Sequence, residues 1–455
     1  MTSRHTLRAA AVVAAGAALA AAACSKDPVL VGTTPPTSAP FMARYVAIGN
    51  SITAGYQSGG ISDSTQRRSY ARMLAIAAGA GSAFNYPAFN APGCPAPVLN
   101  FLTGARTTAG DTTSVCGLRA QSSVTASLNN VAVPGANSFD AVGRGLTAGA
   151  AGSLTTGGYS VLTTLILGGQ TQLQRAVQLD PTFATVWIGN NDVLAGALSS
   201  AGDSTKATTY ANFVSNYSTL INGLTTGSPN LKGAVLIGVV DPTNVPLLIP
   251  FAVFNPNVTG SSAAAYQAVL GVFGVGTTRP ATFRLLFNAS CTTSAAAIAF
   301  PALVQLNRLI PAAAPSFTID CSGTTLLAAN TPQSLFFVTD AERTFYQNRV
   351  VAYNGYIKAK ADSLGFAYLD PNPLFITLKQ QGAIPLFPDL GHPTAPFAVG
   401  AGTSQQVRYI TNDGVHPSTT AHFVLANALI TAINAKYGAI GANIRALVPA
   451  DTTGL

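Results

Sequence analysis

Short apolar runs recur along the chain, and each is ended by a small or turn-forming residue. Tyr45-Val46-Ala47-Ile48 stops at Gly49-Asn50, Phe183 to Ile188 stops at Gly189-Asn190, and Gly233 to Val240 stops at Asp241-Pro242. Runs that are mostly apolar or β-favouring, without alternation, read as buried strands. Two shorter stretches read the same way: Asn129 to Val133, ending in Pro134-Gly135-Ala136, and Phe366 to Leu369. Between them the apolar residues fall at helical spacing. Tyr70, Met73, Leu74 and Ala77 mark a helix over Gln66 to Ala78, and Leu173, Ala176, Val177 and Leu179 mark one within Gly168 to Leu179. Further helices are predicted from about Tyr210 to Leu224 and from about Thr419 to Tyr437. Thr339-Asp340-Ala341-Glu342 has the reciprocal capping pattern that opens a helix, here one running to about Leu364. Alternating strands and helices predict a parallel sheet with crossover helices, an α/β fold. The rhythm breaks over residues 242–335, which read as an insertion. Its apolar run, Leu247 to Phe254, is expected to form either the insertion's own core or a roof over a site at the sheet edge.

The other end of the chain carries an address. Arg4, His5 and Arg8 precede an alanine-rich apolar run, Ala9 to Ala22. That run is too short and too weakly hydrophobic for a stable membrane span and reads as a signal peptide. It ends Ala21-Ala22-Ala23-Cys24, which is similar to a bacterial lipoprotein cleavage site with Cys24 as the lipid-bearing residue. Residues 1–24 are thus expected to be the leader, 25–40 with Pro35-Pro36 a tether, and 41–455 the folded domain. No later stretch reads as a membrane span, so membrane attachment is expected through lipid alone, in the cell envelope, and in the outer membrane where the envelope has two membranes.

Composition narrows the class. Of the 455 residues, 48% are hydrophobic and 9% charged, which supports a large core and excludes disorder. The formal charge of +8 falls to +6 without Arg4 and Arg8, and basic residues are scattered, so nucleic-acid binding is not expected. Beyond Cys24, four cysteines remain: Cys94, Cys116, Cys291 and Cys321. Three pairings are possible. The local one, Cys94–Cys116 with Cys291–Cys321, closes two short loops. No C-x-x-C spacing points to zinc, and no phosphate-binding, dinucleotide or calcium-loop motif occurs, so neither a metal nor a cofactor is expected.

Four small blocks carry the candidate chemistry, each at a strand end or a helix entrance. They are Gly49-Asn50-Ser51-Ile52, Val133-Pro134-Gly135-Ala136, Gly189-Asn190-Asn191-Asp192 and Asp413-Gly414-Val415-His416-Pro417. In this order the set resembles the SGNH/GDSL hydrolases across most of the chain outside the insertion. The first block departs from the family's Gly-Asp-Ser-Leu by Asn50 and Ile52. No Gly-x-Ser-x-Gly elbow surrounds Ser51, so the α/β-hydrolase superfamily is the weaker analogy. The resemblance implies a flavodoxin-like three-layer α/β/α sandwich around a parallel sheet of about five strands.

It also implies roles. A serine hydroxyl needs a base, and an imidazole serves near neutral pH when a carboxylate orients it. Ser51, His416 and Asp413 would be nucleophile, base and orienting carboxylate. The N–H groups of Ser51 and Gly135 and the side-chain amide of Asn191 would hold the oxyanion. Asp389-Leu390-Gly391-His392-Pro393 repeats the Asp-x-x-His pattern, but only Asp413 and His416 directly precede a long apolar helix. His422 is expected to pack inside that helix. The activity implied is hydrolysis of carboxylic esters through an acyl-enzyme, on a lipid or acylated-glycan substrate. The alternatives are a polysaccharide O-deacetylase, or a surface lipoprotein that binds a glycan or lipid without turnover.

Overall fold

The computed structural model describes residues 39–100, 105–106, 127–143, 166–198, 203–254, 283–327, 331–385, 387, 409–452 and 455. The leader and Cys24, most of the tether, Cys116 and His392 lie outside the described residues.

Four strands form the central sheet: β1 (Tyr45–Gly49), β2 (Phe183–Trp187), β3 (Gly233–Ile237) and β4 (Ala367–Leu369), hydrogen-bonded in that order. Every pairing is parallel. The expected strand at Asn129 to Val133 is reduced to one parallel bridge, Ala47 to Asn130, on the free side of β1. Its backbone still runs along β1, with Ala47 N–H donating to Asn129 O and the Val131 and Val133 N–H groups donating to Ala47 O and Gly49 O. The asparagines explain the irregularity. Asn129 donates its side-chain amide to Tyr45 O at 2.7 Å, and Asn130 Oδ1 accepts from Ala132 N–H at 3.1 Å, bending the segment locally. Counting this segment, the order is 2-1-3-4-5, the flavodoxin-like arrangement, and β1 stands where the order reverses.

All residues of β1, β2 and β3 are buried, and alternate side chains enter opposite cores. Val46, Ile48, Ala184, Val186, Ala234 and Leu236 face one side. There they meet α3 (Gln172–Leu179), α5 (Tyr210–Gly227) and α6 (Asp340–Leu364). Tyr45, Ala47, Phe183, Trp187, Val235 and Ile237 face the other side, toward α2 (Tyr70–Ala77) and α7 (Thr419–Tyr437). Helices therefore cover both faces, giving the three layers.

The predicted capping box of α6 is present: the Thr339 side chain accepts from Glu342 N–H, and the Glu342 carboxylate accepts from Thr339 N–H. The single helix expected over 66–78 is instead two, Asp63–Arg67 and α2, because Ser62 and Ser69 each cap a new start. The Tyr437 hydroxyl pins α7 to the sheet, donating to Ala234 O at 2.8 Å and accepting from Ala234 and Ala367 N–H at 3.1 Å. By length and composition, Thr419–Ile440 is the one helix among the described residues able to cross a membrane, which the sequence reading did not anticipate. In the fold, Leu429, Ile430 and Ile433 of this helix lie in the sheet core.

The described part of the insertion builds a separate core. Leu248–Pro250 pairs antiparallel with Ala297–Ala299, and Arg284–Phe287 pairs parallel with Ser316–Ile319. Leu247, Leu248, Ile249, Phe251 and Phe254 are buried there with Phe283, Phe300 and Phe337. The apolar run thus belongs to this core, and its Leu247 N–H donates to Gly414 O at 3.0 Å, in the loop that carries His416. Cys291 and Cys321 are disulfide-bonded across it, as in the local pairing. Cys94 is also buried and disulfide-bonded.

Candidate active site

β1 delivers Ser51 to the C-terminal edge of the sheet, where α1 (Ser51–Ala54) begins. Asn50 caps this turn, its Oδ1 accepting from Ile52 N–H at 3.1 Å. The neutral amide in place of the family's aspartate therefore keeps a structural task. Gly49 is required by space: a Cβ there would lie 2.2 Å from Thr53 Oγ1 and 2.9 Å from Trp187 O. The Gly49 N–H is held by Gln172 Oε1 at 2.9 Å, a contact from α3 that has no local signature in the sequence.

The loop before α7 brings the second group of residues. His416 Nε2 lies 2.8 Å from Ser51 Oγ, and His416 Nδ1 lies 2.7 Å from Asp413 Oδ2. The tautomer that satisfies both contacts has its proton on Nδ1, leaving the Nε2 lone pair to accept from the serine hydroxyl. Burial pushes the Asp413 carboxyl up, but the His416 charge and hydrogen bonds from the His416 ring and the His416 and Val415 N–H groups outweigh it. They hold the acid well below the usual carboxylate range.

The loop is fastened to the turn after α1. Gly59 N–H donates to Asp413 Oδ2 at 2.7 Å, and Ser58 N–H donates to Thr411 Oγ1 at 3.0 Å. Tyr56 lies against the imidazole with ring centroids 4.9 Å apart. Burial, and then the Asp413 charge, push its phenol up to about 12, so it stays neutral.

The remaining predicted residues sit on the neighbouring loops. Gly135 follows the bridge segment with a φ of +85°, a conformation glycine adopts freely. Neither its N–H nor that of Ser51 has a backbone acceptor among the described residues. Asn191 begins α4 (Asn191–Ala197), and its Nδ2 donates to Ala136 O at 2.8 Å, leaving the second amide proton available. Three residues outside the expected set, Asp192, Ser138 and Asn216, brace this pair of loops. Asp192 accepts from Ser138 N–H at 2.8 Å and from Ser138 Oγ at 2.6 Å, and Asn216 donates to Ser138 Oγ at 3.2 Å. Burial raises the Asp192 carboxyl to about 6 against the Ser138 bonds that lower it. Asp192 was visible as the last letter of its block, whereas its partner 54 positions away was not.

His422 packs inside α7 as expected. Its Nδ1 accepts from Tyr70 N–H at 3.2 Å, and burial, then the nearby His416 charge, lower it to about 3.

A sequence model of the GDSL-like lipase/acylhydrolase family matches residues 45–429. The chain belongs to that family. Membership carries the class of chemistry, hydrolysis of carboxylic esters. Among solved structures, the chain is similar to a Corynascus thermopiles (Myceliophthora fergusii) carbohydrate esterase family 2 enzyme with a carbohydrate-binding domain. The identity is 15%, the match covers 74% of this chain and 69% of that one, and the TM-score is 0.23. No curated protein matches the sequence.

Proposed function

We propose that this GDSL-family protein is an exported serine esterase, held at a membrane by lipid on Cys24, in which Ser51 is the nucleophile. The observation that supports this reading is the unbroken hydrogen-bond chain from Asp413 through His416 to Ser51. As Ser51 Oγ attacks the ester carbonyl, its proton passes to His416 Nε2, and Asp413 stabilises the imidazolium that results. The carbonyl oxygen becomes an oxyanion, to which the Ser51 and Gly135 N–H groups and the free amide proton of Asn191 would donate. Collapse expels the alcohol, which takes the proton from His416. Water then attacks the acyl-enzyme by the same route in reverse, releasing the acid.

A fluorophosphonate probe and an acetyl ester test the reading together. The expected result is one covalent adduct on the peptide carrying Ser51, lost in Ser51→Ala, with acetate hydrolysis lost in parallel. An intact protein that takes no label and turns over no ester would instead be the binding lipoprotein. The anchor is tested separately. Cys24→Ser should move activity from membrane to soluble fractions, and a variant still bound to membranes would exclude lipid as the attachment.

A further inference from the structure

The turn that fastens the His416 loop is itself held from behind. Gln57 and Gly60 pair as an antiparallel bridge around Ser58 and Gly59, whose φ values of +53° and +65° are both positive, as a two-residue hairpin turn demands. A positive φ is unfavourable for serine and persists only where its surroundings over-determine it. Every polar group of Ser58 is engaged. Its N–H donates to Thr411 Oγ1 at 3.0 Å, its Oγ accepts from Asn412 N–H at 3.4 Å, and its O accepts from Val98 N–H at 2.7 Å. Two of these contacts reach the loop of Asp413. The third reaches a hairpin in which Val98–Asn100 pairs with Ala105–Arg106.

That third contact bears on the carboxylate. The peptide between Ser58 and Gly59 is planar and trans, so its C=O and N–H point in opposite directions. Val98 N–H holds the oxygen end, while Gly59 N–H, at the other end, donates to Asp413 Oδ2 at 2.7 Å. Arg106 fixes the next peptide, its Nη1 donating to Gly59 O at 3.2 Å and to Ala96 O. Buried Asn412 returns the link, its Nδ2 donating to Val98 O at 3.3 Å and to Leu99 O at 3.4 Å. Hairpin, turn and acid loop thus close a ring of hydrogen bonds. Among the described residues, neither the Arg106 nor the Asn412 side chain bonds to Ser51 or His416.

We propose that Arg106 and Asn412 are positioning residues that set the angle at which the Asp413 carboxylate meets the imidazole. Asp413 Oδ2 accepts from Gly59 N–H and from His416 Nδ1 alike, so a turn that shifts moves the very oxygen that orients the base. The effect on turnover rests on the esterase reading above.

Arg106→Met keeps the length of the side chain and removes its donors. Asn412→Ala opens the ring on its far side and serves where the first variant does not fold. Each is expected to lower kcat for an acetyl ester by about 10- to 100-fold at unchanged KM, because a misplaced acid is felt in the transition state and not in binding. Arg106→Lys, which can still donate to a carbonyl, should recover most of the loss. The downfield proton-NMR signal of His416 Nδ1–H, identified by its absence from Asp413→Asn, reads the same contact without turnover. It should move in Arg106→Met and Asn412→Ala and return in Arg106→Lys. Folded variants that keep the wild-type kcat, that lose efficiency through KM, or that leave the signal unmoved would overturn the proposal. If the folded wild type hydrolyses no ester, the esterase reading falls, and the signal alone decides whether these two residues set the acid.

Discussion

Asp413→Asn should cost about four orders of magnitude in turnover, and the structure says why so small a change does so much. Asp413 Oδ2 accepts from His416 Nδ1 at 2.7 Å and from Gly59 N–H at 2.7 Å. Oδ1 accepts from His416 N–H at 2.9 Å, Val415 N–H at 3.0 Å and Thr411 Oγ1 at 3.1 Å. The introduced amide must turn its NH₂ toward one of these two groups. The Oδ1 side holds two backbone N–H donors that cannot become acceptors, so the NH₂ is driven to the imidazole side. The imidazole can answer only by giving up its Nδ1 proton, which places a proton on Nε2 and removes the lone pair facing Ser51. A wrong tautomer of this kind lowers turnover by about 10⁴, or about 5 kcal/mol of barrier. Gly59 N–H also loses its acceptor, at about 1–3 kcal/mol of folding stability. The assay is hydrolysis of an acetyl ester, read beside the unfolding midpoint in urea. A folded Asp413→Asn protein working within tenfold of wild type would refute the argument, because Asp413 would then not control the imidazole. The depressed carboxyl has a further sign. Its contribution to stability is present above its ordinary unfolded value near pH 4 and is lost as pH falls toward its native value, so the wild type should lose stability in acid and the asparagine variant should lose less.

Three other outcomes are expected. Ser51→Ala and His416→Ala should each fold and lose ester hydrolysis, the second with some loss of stability because buried Asp413 loses its ring partner, while His392→Ala should be mild; the reverse pattern of activity for the two histidines would move the base to His392. Asp192, raised to about 6 by burial, stays protonated in the fold over a range where the unfolded chain has ionised. Its stabilisation is therefore complete below its unfolded value near pH 4 and is lost as pH rises through about 6, so urea unfolding from pH 4 to 8 should show a shallower decline for Asp192→Asn. Replacing Cys291 and Cys321 together by serine opens a loop of sequence separation 30. The expected cost is about 3–4 kcal/mol in denaturant unfolding, and an unchanged midpoint would mean the bridge does not constrain the unfolded chain.

The sheet was readable because its central strands are buried on both faces, which leaves runs such as Tyr45 to Ile48 with no polar interruption. The start of α6 was readable from the Thr339–Glu342 capping pair, whereas the Ser418 side chain that caps α7 by accepting from Ala421 N–H emerged only in the fold. The bridge at Asn129 and Asn130 was harder, since side-chain amides compete with ladder bonds in a way no apolar pattern records. Ser51, Asp413 and His416 stood out because their blocks follow the order of the SGNH/GDSL hydrolases, each at a strand end or a helix entrance. Gln172, Ser138 and Gly59 carry no such signature. Each acts on a residue far away in the chain, and only the folded arrangement of sheet and loops makes them neighbours. The insertion shows the same limit: Leu247 to Phe254 is apolar whether it fills a core or covers a site, and only the fold brings it together with Phe283 and Phe300.

The reach of the loop that carries His416 has one more consequence, for the life of the chain before it is finished. Ser51 and His416 are 365 positions apart, and the clasp between Gly59 and Asp413 spans 354. A chain emerging from its N-terminus makes the serine early but has no His416 to set beside it until 365 further residues are made. Closing so long a loop is an event of the completed fold. Activity would therefore report that synthesis has passed His416 and that the loop has closed. No truncated product stopping before His416 would be able to cleave an ester, however well its sheet had formed.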